Sequence, residues 1–171
     1  METRSGWKEY IYGSIIVALL VLADQFTKWL AIRELMGQDA FVVWKGVFEL
    51  QYLENRGAAF GVFQNQKVFF IIMTVLTLIL IGYFYRLTPV SRKYLPLRLC
   101  ILFIAAGALG NFIDRVFRGF VVDFFYFSLI DFPIFNVADI YLTVTIGVLA
   151  VLILFYYKEE DFKVYSRKAE E

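Results

Sequence analysis

The chain contains no histidine and a single cysteine, Cys100. A lone cysteine cannot form a disulfide within the chain, and without histidine there is no Cys–His pair for nucleophilic catalysis. Metal binding lacks its usual nitrogen and sulfur ligands, since carboxylates alone would favour hard ions. We therefore expect a buried, unreactive thiol at Cys100, and neither a metal nor another cofactor. The net charge of +1 excludes little by itself.

Apolar residues, in contrast, make up 60% of the 171 residues, and the mean hydropathy is +0.65. A soluble domain of this size is rarely so apolar, so the excess is expected in lipid. Four stretches approach the ~20 residues that cross a bilayer; they cover residues 10–35, 68–85, 95–116 and 136–157. The sequence predicts one integral membrane domain over residues 1–171, mostly α-helical. The first stretch carries Asp24 and lacks a cleavage site, so we expect it to remain as a span.

The basic residues are placed unevenly along the chain. They precede the first span, lie between the second and third, and follow the fourth: Arg4, Lys8, Arg86, Arg92, Lys93, Arg98, Lys158, Lys163, Arg167 and Lys168. The positive-inside rule makes these regions cytoplasmic, so both termini are predicted inside and the loops at 36–67 and 117–135 outside. Residues 158–171 are interpreted as a solvated cytoplasmic extension.

The first outer loop contains a pattern typical of short strands. Residues 41–53 are rich in β-branched and aromatic residues, with Phe48, Leu50 and Tyr52 alternating with polar neighbours, and Gly46 fits a turn. This predicts a small β unit over residues 37–54. The small residues in 55–61 would allow close backbone approach. The alternative for them is an ordinary loop leading into an interfacial helix.

Charged residues also lie within or beside the apolar stretches, where each costs about 2.5–3.5 kcal/mol even on lenient scales. Asp24 and Lys28 are four residues apart and can pair on one helical face, which favours a supporting role. Asn111 and Arg115 share another face, as do Asp114 and Arg118. These residues either pack and cap the third helix, or Asn111 and Arg115 position outer loops or bind an anionic lipid group; the spacing leaves both open.

Two further aspartates, Asp123 and Asp139, lie 16 residues apart on the outer side. Asp123 alone reads best as a surface residue in a loop, although its aromatic neighbours would raise its pKa if they buried it. Asn136 and Asp139 alone resemble a helix capping box. Together, however, two close carboxylates can share one proton, so that one activates water while the other polarises a carbonyl. This machinery hydrolyses peptide bonds without histidine or metal.

Five segments in this order resemble the lipoprotein signal peptidases (signal peptidase II) of bacteria. They are residues 24–28 (DQFTK), 55–61 (NRGAAFG), 107–115 (GALGNFIDR), 122–124 (VDF) and 135–139 (FNVAD). The resemblance spans nearly the whole chain apart from the terminal tails, and no motif is broken.

The resemblance implies an aspartic endopeptidase of the bacterial cytoplasmic membrane with four spans, an outer β-cradle and an outer amphipathic helix after Asn55. Such an enzyme cleaves diacylglyceryl-modified prolipoproteins just before the lipidated cysteine and is the target of globomycin. By position Asp123 and Asp139 are the expected catalytic dyad, and Asp114 a structural acid. Supporting or substrate-binding roles are implied for Asp24, Lys28, Asn55, Gly107, Asn111, Arg115 and Asn136. Membrane lipids are expected partners, nucleic acid is not, and a monomer would suffice.

Two other classes of protein fit part of the pattern. A small transporter could use membrane carboxylates to relay protons or bind cations, but such proteins place them near the midplane and often carry a repeat. A non-catalytic assembly factor could hold a lipid-bearing partner on its aromatic strands, and it would tolerate Asp→Asn at both dyad positions.

Overall fold

The structure is a computed structural model and describes residues 7–57 and 66–169. Within these residues, four helices are long and apolar enough to cross a membrane: α1 (Trp7–Leu35), α2 (Lys67–Leu87), α3 (Leu95–Phe117) and α4 (Val137–Val151), which continues in a π-helical turn at Leu152–Tyr156. A small sheet is built from β1 (Phe41–Trp44), β2 (Phe48–Asn55) and β3 (Val121–Tyr126). The predicted fold class, a mostly α-helical membrane protein with a small β unit, is confirmed. The amphipathic helix expected after Asn55 falls outside the described residues.

The sheet contains one strand more than the sequence pattern predicted. Its order is β1-β2-β3 with both pairs antiparallel, and Asp123 on β3 lies opposite Leu53 on β2. Residues Val121–Phe124 are all buried, so β3 shows no alternation of polar and apolar residues. The interpretation of Asp123 as a surface residue in a loop is therefore wrong, because pairing with β2 draws it into the interior.

The chain after β3 folds back on the strand before α4 begins. Phe135 accepts a hydrogen bond from the Phe125 N–H at 2.8 Å and donates its own N–H to the Phe125 carbonyl at 3.1 Å. Asn136, the next residue, is the N-cap of α4. This return places the start of α4 beside the strand that carries Asp123. We call this end of the helix bundle the sheet end.

Helix α3 is the centre of the bundle and packs against α1, α2 and α4. Small residues on α3 allow the close approach. A Cβ at Gly107 would lie 2.7 Å from the carbonyl oxygen of Ala138, and one at Gly110 would lie 2.5 Å from Oδ2 of Asp24. Cys100, also on α3, is buried as predicted.

The charged tail forms a fifth helix, α5 (Glu159–Ala169), at the opposite end of the bundle. Lys93 pairs with Asp161, and the Tyr94 hydroxyl donates to the Asp161 carbonyl at 2.9 Å. The hydroxyls of Thr88 and Tyr165 are 3.0 Å apart. The segment interpreted as a solvated extension is thus a helix packed on the turn between α2 and α3.

We predict that Gly107→Ala destabilises the protein, because the new methyl group would press on backbone rather than on a movable side chain. Overpacking of this kind costs about 1–3 kcal/mol, and a lower thermal midpoint in detergent would measure it. Gly147→Ala is the matched control, since nothing lies within 4 Å of a Cβ at Gly147 on α4. Equal midpoints for the two variants would contradict the prediction.

Candidate active site

A buried lysine lies at the centre of the polar residues at the sheet end. The Lys28 ammonium is 2.9 Å from Oδ2 of Asp24, 3.0 Å from Oδ2 of Asp114 and 2.9 Å from Oδ1 of Asn111. All three donors of the ammonium group are therefore used. The side chains of Lys28, Asp24 and Asp114 are fully buried. Pairing of Asp24 with Lys28, predicted from their spacing, is confirmed, and Lys28 also pairs with α3.

The two carboxylates of this cluster also hold backbone from other elements. Asp24 Oδ1 accepts the Ala138 N–H at 2.9 Å, and Asp114 Oδ2 accepts the Val122 N–H at 3.1 Å. The first bond joins α1 to the first turn of α4, and the second joins α3 to β3. Because unsatisfied N–H groups at a helix start need acceptors, Asp24 contributes directly to where α4 begins.

Two asparagine amides connect the lysine cluster to both members of the predicted dyad. Asn111 accepts from Lys28 through Oδ1 and donates through Nδ2 to Asp139 Oδ1 at 2.8 Å. Asn136 donates through Nδ2 to Asp123 Oδ1 at 2.6 Å and to Asn111 Oδ1 at 3.1 Å. Since an ammonium group only donates, Lys28 fixes which end of the Asn111 amide faces Asp139.

Asp139 also completes the capping box of α4. Its backbone N–H donates to Asn136 Oδ1 at 3.1 Å, and its Oδ2 accepts the Asn136 backbone N–H at 3.2 Å. The capping box that the sequence suggested is thus present. The same carboxylate is bonded to Asn111, so capping and membership of the polar network are compatible.

Asp123 reaches the network from β3 and is 1% exposed. In addition to Asn136, it accepts a 2.8 Å hydrogen bond from Nδ2 of Asn55 at the end of β2. Burial and the negative charge of Asp139 together raise the pKa of Asp123 from 3.8 to about 7. At neutral pH this carboxyl group exists in both protonation states, which suits acid–base catalysis.

Both aspartates line one cavity of about 790 Å³ between α2, α3 and α4. Arg115, whose positive charge faces the two aspartates, lies on its wall and donates to the Gly57 carbonyl at 3.3 Å. The rest of the wall is mainly apolar and includes Met73 of α2 and Ile140 of α4. The cavity therefore combines a polar end with a long apolar part. Within residues 7–57 and 66–169, no cluster of three or more Asp, Glu or Cys side chains is arranged to hold a metal ion.

All ten residues singled out from the sequence lie at the sheet end, and nine are in or beside this network. Gly107 instead provides the close contact between α3 and α4. Sequence reasoning gave no individual site role to two members of the network. Gln25 donates to Asp114 Oδ1 at 3.2 Å and to the Gly110 carbonyl at 3.1 Å, and Arg118 donates to Asp114 and to Gln25 Oε1 at 3.1 Å. The only available signal was the four-residue spacing of Asp114 and Arg118.

Four bilayer-length helices and a hydrogen-bonded network that joins two aspartates beside a cavity define a multi-pass membrane protein with a candidate acid–base site. Comparison with known proteins agrees. Residues 16–156 match the family described as signal peptidase (SPase) II. The lipoprotein signal peptidase of Streptococcus thermophilus is 49% identical over 86% of this chain and 95% of its own length. That of Brevibacillus brevis is 42% identical over 79% and 89% respectively. A solved bacterial membrane enzyme aligns with a TM-score of 0.73 at 34% identity, covering 86% of this chain and 92% of its own.

The chain therefore belongs to the signal peptidase II family, as its sequence motifs indicated. This membership decides between the classes of protein considered from the sequence. The chain is a peptidase rather than a transporter or an assembly factor.

We predict that Lys28→Met strongly destabilises the fold. Removing the ammonium group leaves Asp24 and Asp114 buried without their shared cation, and breaking a buried pair costs about 3–5 kcal/mol. Thermal unfolding in detergent measures the effect. Lys45→Met, at an exposed position in the turn between β1 and β2, is the matched control. A Lys28→Met protein as stable as this control would contradict the role given to the buried ammonium.

We also predict that stability depends on pH through Asp123. The pKa of Asp123 is about 7 in the folded protein and lies above its ordinary value of 3.8, so the folded protein resists ionisation that the unfolded chain undergoes freely. The contribution of Asp123 to the free energy of unfolding is therefore fully present below about pH 4. As the pH rises to about 7 this contribution is lost, and the free energy of unfolding falls by at most about 1.4 kcal/mol per pH unit.

Asp123→Asn cannot ionise, so its unfolding free energy should lack this fall. Melting curves of both proteins in the same detergent, recorded across that range, make the comparison. If the two stabilities run parallel, Asp123 ionises normally in the folded protein.

Proposed function

We propose that this chain removes the signal peptide from diacylglyceryl-modified prolipoproteins, cleaving just before the lipidated cysteine, with Asp123 and Asp139 as the catalytic dyad. The observation that carries the proposal is the pair of carboxylates bridged by Asn136 at the polar end of an apolar cavity. Family membership supplies the reaction class. The geometry supplies candidates for the acid and the base.

At the start of the reaction Asp123 holds the shared proton and Asp139 is ionised. The pKa of about 7 at Asp123 supports this assignment, as does the position of Asp139 at the positive N-terminal end of α4. Asp139 takes a proton from a water molecule as its oxygen attacks the scissile carbonyl carbon. Asp123 gives its proton to the carbonyl oxygen, which yields a tetrahedral diol.

The second half of the reaction reverses the two roles. Asp139 donates its new proton to the amide nitrogen as the C–N bond breaks, and Asp123 takes back a proton from the diol hydroxyl. The products are a free carboxyl terminus and a free amino terminus, and both aspartates return to their starting states. No covalent intermediate is required.

The cavity suits an apolar substrate segment. It extends from the dyad to Thr77 on α2 and Ile104 on α3. Ile104 is 11 residues below Arg115, which at 1.5 Å per residue corresponds to about 16 Å along the helix. The apolar part of a signal peptide would lie here, and Arg115 would face its polar end. The same cavity is the proposed site for globomycin.

The proposal includes a location in the bacterial cytoplasmic membrane with the sheet end outside. Basic residues at the opposite end, among them Arg92, Lys93 and Lys158, favour a cytoplasmic position for that end and for both termini. The long exposed apolar faces of the helices would contact membrane lipids. One chain supplies both aspartates, so a monomer suffices.

We predict that Asp123→Asn and Asp139→Asn each lower the cleavage rate by roughly 10³-fold or more, since neither amide can exchange the proton. The measurement is cleavage of a diacylglyceryl-modified prolipoprotein by the purified protein, beside the unlipidated precursor. Asp39→Asn, at an exposed position between α1 and β1, is the matched control and should cut like the wild type. Thermal melts establish that each variant is folded.

Efficient cleavage by both folded dyad variants would refute the catalytic assignment. Equal cleavage of lipidated and unlipidated precursors would refute the substrate assignment. A wild-type protein that cuts neither precursor would refute the proposed function as a whole.

A further inference from the structure

Arg118 lies outside the cavity but is bonded to the buried network. It follows the last residue of α3, and its guanidinium donates to Oδ1 of Asp114 and, at 3.1 Å, to Oε1 of Gln25. Its side chain is 29% exposed, whereas those of Asp114 and Lys28 are fully buried. The arginine is therefore a link between solvent and the interior of the site.

From Arg118 a continuous series of hydrogen bonds leads to the dyad. Asp114, bonded to Arg118 through Oδ1, uses Oδ2 to accept from Lys28 at 3.0 Å, and Lys28 donates to Asn111 at 2.9 Å. Asn111 then donates to Asp139 at 2.8 Å. Most members are charged and shielded from water, so a change of charge at one end is weakly screened at the other.

Among the four side chains joined by salt bridges around Lys28, charge is balanced only when Arg118 is counted. Asp24 and Asp114 carry two negative charges, and Lys28 and Arg118 carry two positive ones. Without the arginine, one excess negative charge would remain beside Lys28. The ammonium would then be shared between two carboxylates without a second cation, and its bond to Asn111 would weaken.

Charged and titratable groups of the other elements also face this region. Tyr52 on β2 faces Asp114 and Arg118, and Glu54 is bonded to Tyr52 at 3.5 Å. On α3, Arg115 faces both dyad carboxylates and also interacts electrostatically with Asp114, while its guanidinium donates its hydrogen bond to the Gly57 carbonyl. Two cations are bonded directly to Asp114: the buried Lys28 through Oδ2 and the partly exposed Arg118 through Oδ1.

We propose that Arg118 is a positioning residue of the peptidase, which keeps Lys28 directed at Asn111 and thereby holds the dyad in its working charge state. The inference rests on the proposed function of Asp123 and Asp139 and extends it to a residue that touches neither substrate nor dyad. It assigns to the positive charge of Arg118, rather than to its shape, an effect on the acid–base step.

The test is the pH–rate profile for cleavage of the lipidated precursor by wild type, Arg118→Gln and Arg118→Lys. Removing the positive charge disfavours the ionised dyad, so the acid limb of the Arg118→Gln profile should move to higher pH by roughly half a unit or more. At neutral pH, kcat should fall about ten-fold with little change in KM. Arg118→Lys keeps the charge and should keep the wild-type limb.

Arg33→Gln is the matched control, because it removes an exposed arginine whose partner Glu34 is also exposed. Its profile should match that of the wild type. An Arg118→Gln profile with lower amplitude but an unmoved acid limb would overturn the proposal, as would an equal displacement in Arg118→Lys. If Arg118→Gln does not fold, the lysine variant decides the question alone: an acid limb displaced from the wild-type position overturns the proposal.

These outcomes are read relative to wild-type cleavage. Failure of the wild type to cut would refute the proposed function instead, so the two failures are distinguishable.

Discussion

The bond of a buried ammonium group to three acceptors is the constraint on which the rest of the site depends. Lys28 satisfies all of its donors with Asp24, Asp114 and Asn111, so it ties α1 to α3 at two points. An ammonium group in such surroundings is tolerable only because every charge has a partner. Asp24 in turn accepts a backbone N–H of α4, and Asp114 accepts a backbone N–H of β3. One charge thus helps to determine where the segments that carry Asp123 and Asp139 lie.

Asparagine suits the next layer of the network because its amide accepts at one end and donates at the other. Lys28 occupies the oxygen of Asn111, so the amide nitrogen of Asn111 donates to Asp139. The amide nitrogen of Asn136 in turn donates to Asp123, and neither asparagine adds a charge. A network whose members are all satisfied is rigid. A rigid site holds reacting groups in place before substrate arrives, which is a large part of what catalysis requires.

Much of this could be predicted from the sequence, and the exceptions have physical reasons. The four long helices follow from hydropathy, and the Asp24–Lys28 pair follows from the spacing of residues on a helix. Strand β3 could not be found, because it is buried on both faces and its pairing with β2 joins residues about 70 positions apart. The roles of Gln25 and Arg118 depend on another tertiary contact, the packing of α1 against α3. Helix α5 was missed because its packing against Thr88 and Lys93 is also long-range.

The capping box at the start of α4 has a consequence for drug resistance. The Asp139 side chain lines the cavity and also caps the first turn of the helix together with Asn136, which is fully buried. An inhibitor bound to the Asp139 carboxylate would therefore engage a group whose replacement also weakens the start of a membrane helix. Escape by substitution is then confined to the apolar wall, at positions such as Met73, Ile140 and Val144. If the proposed function holds, inhibitors that bind mainly to the polar end and make few contacts with the apolar wall would be the hardest to escape by substitution.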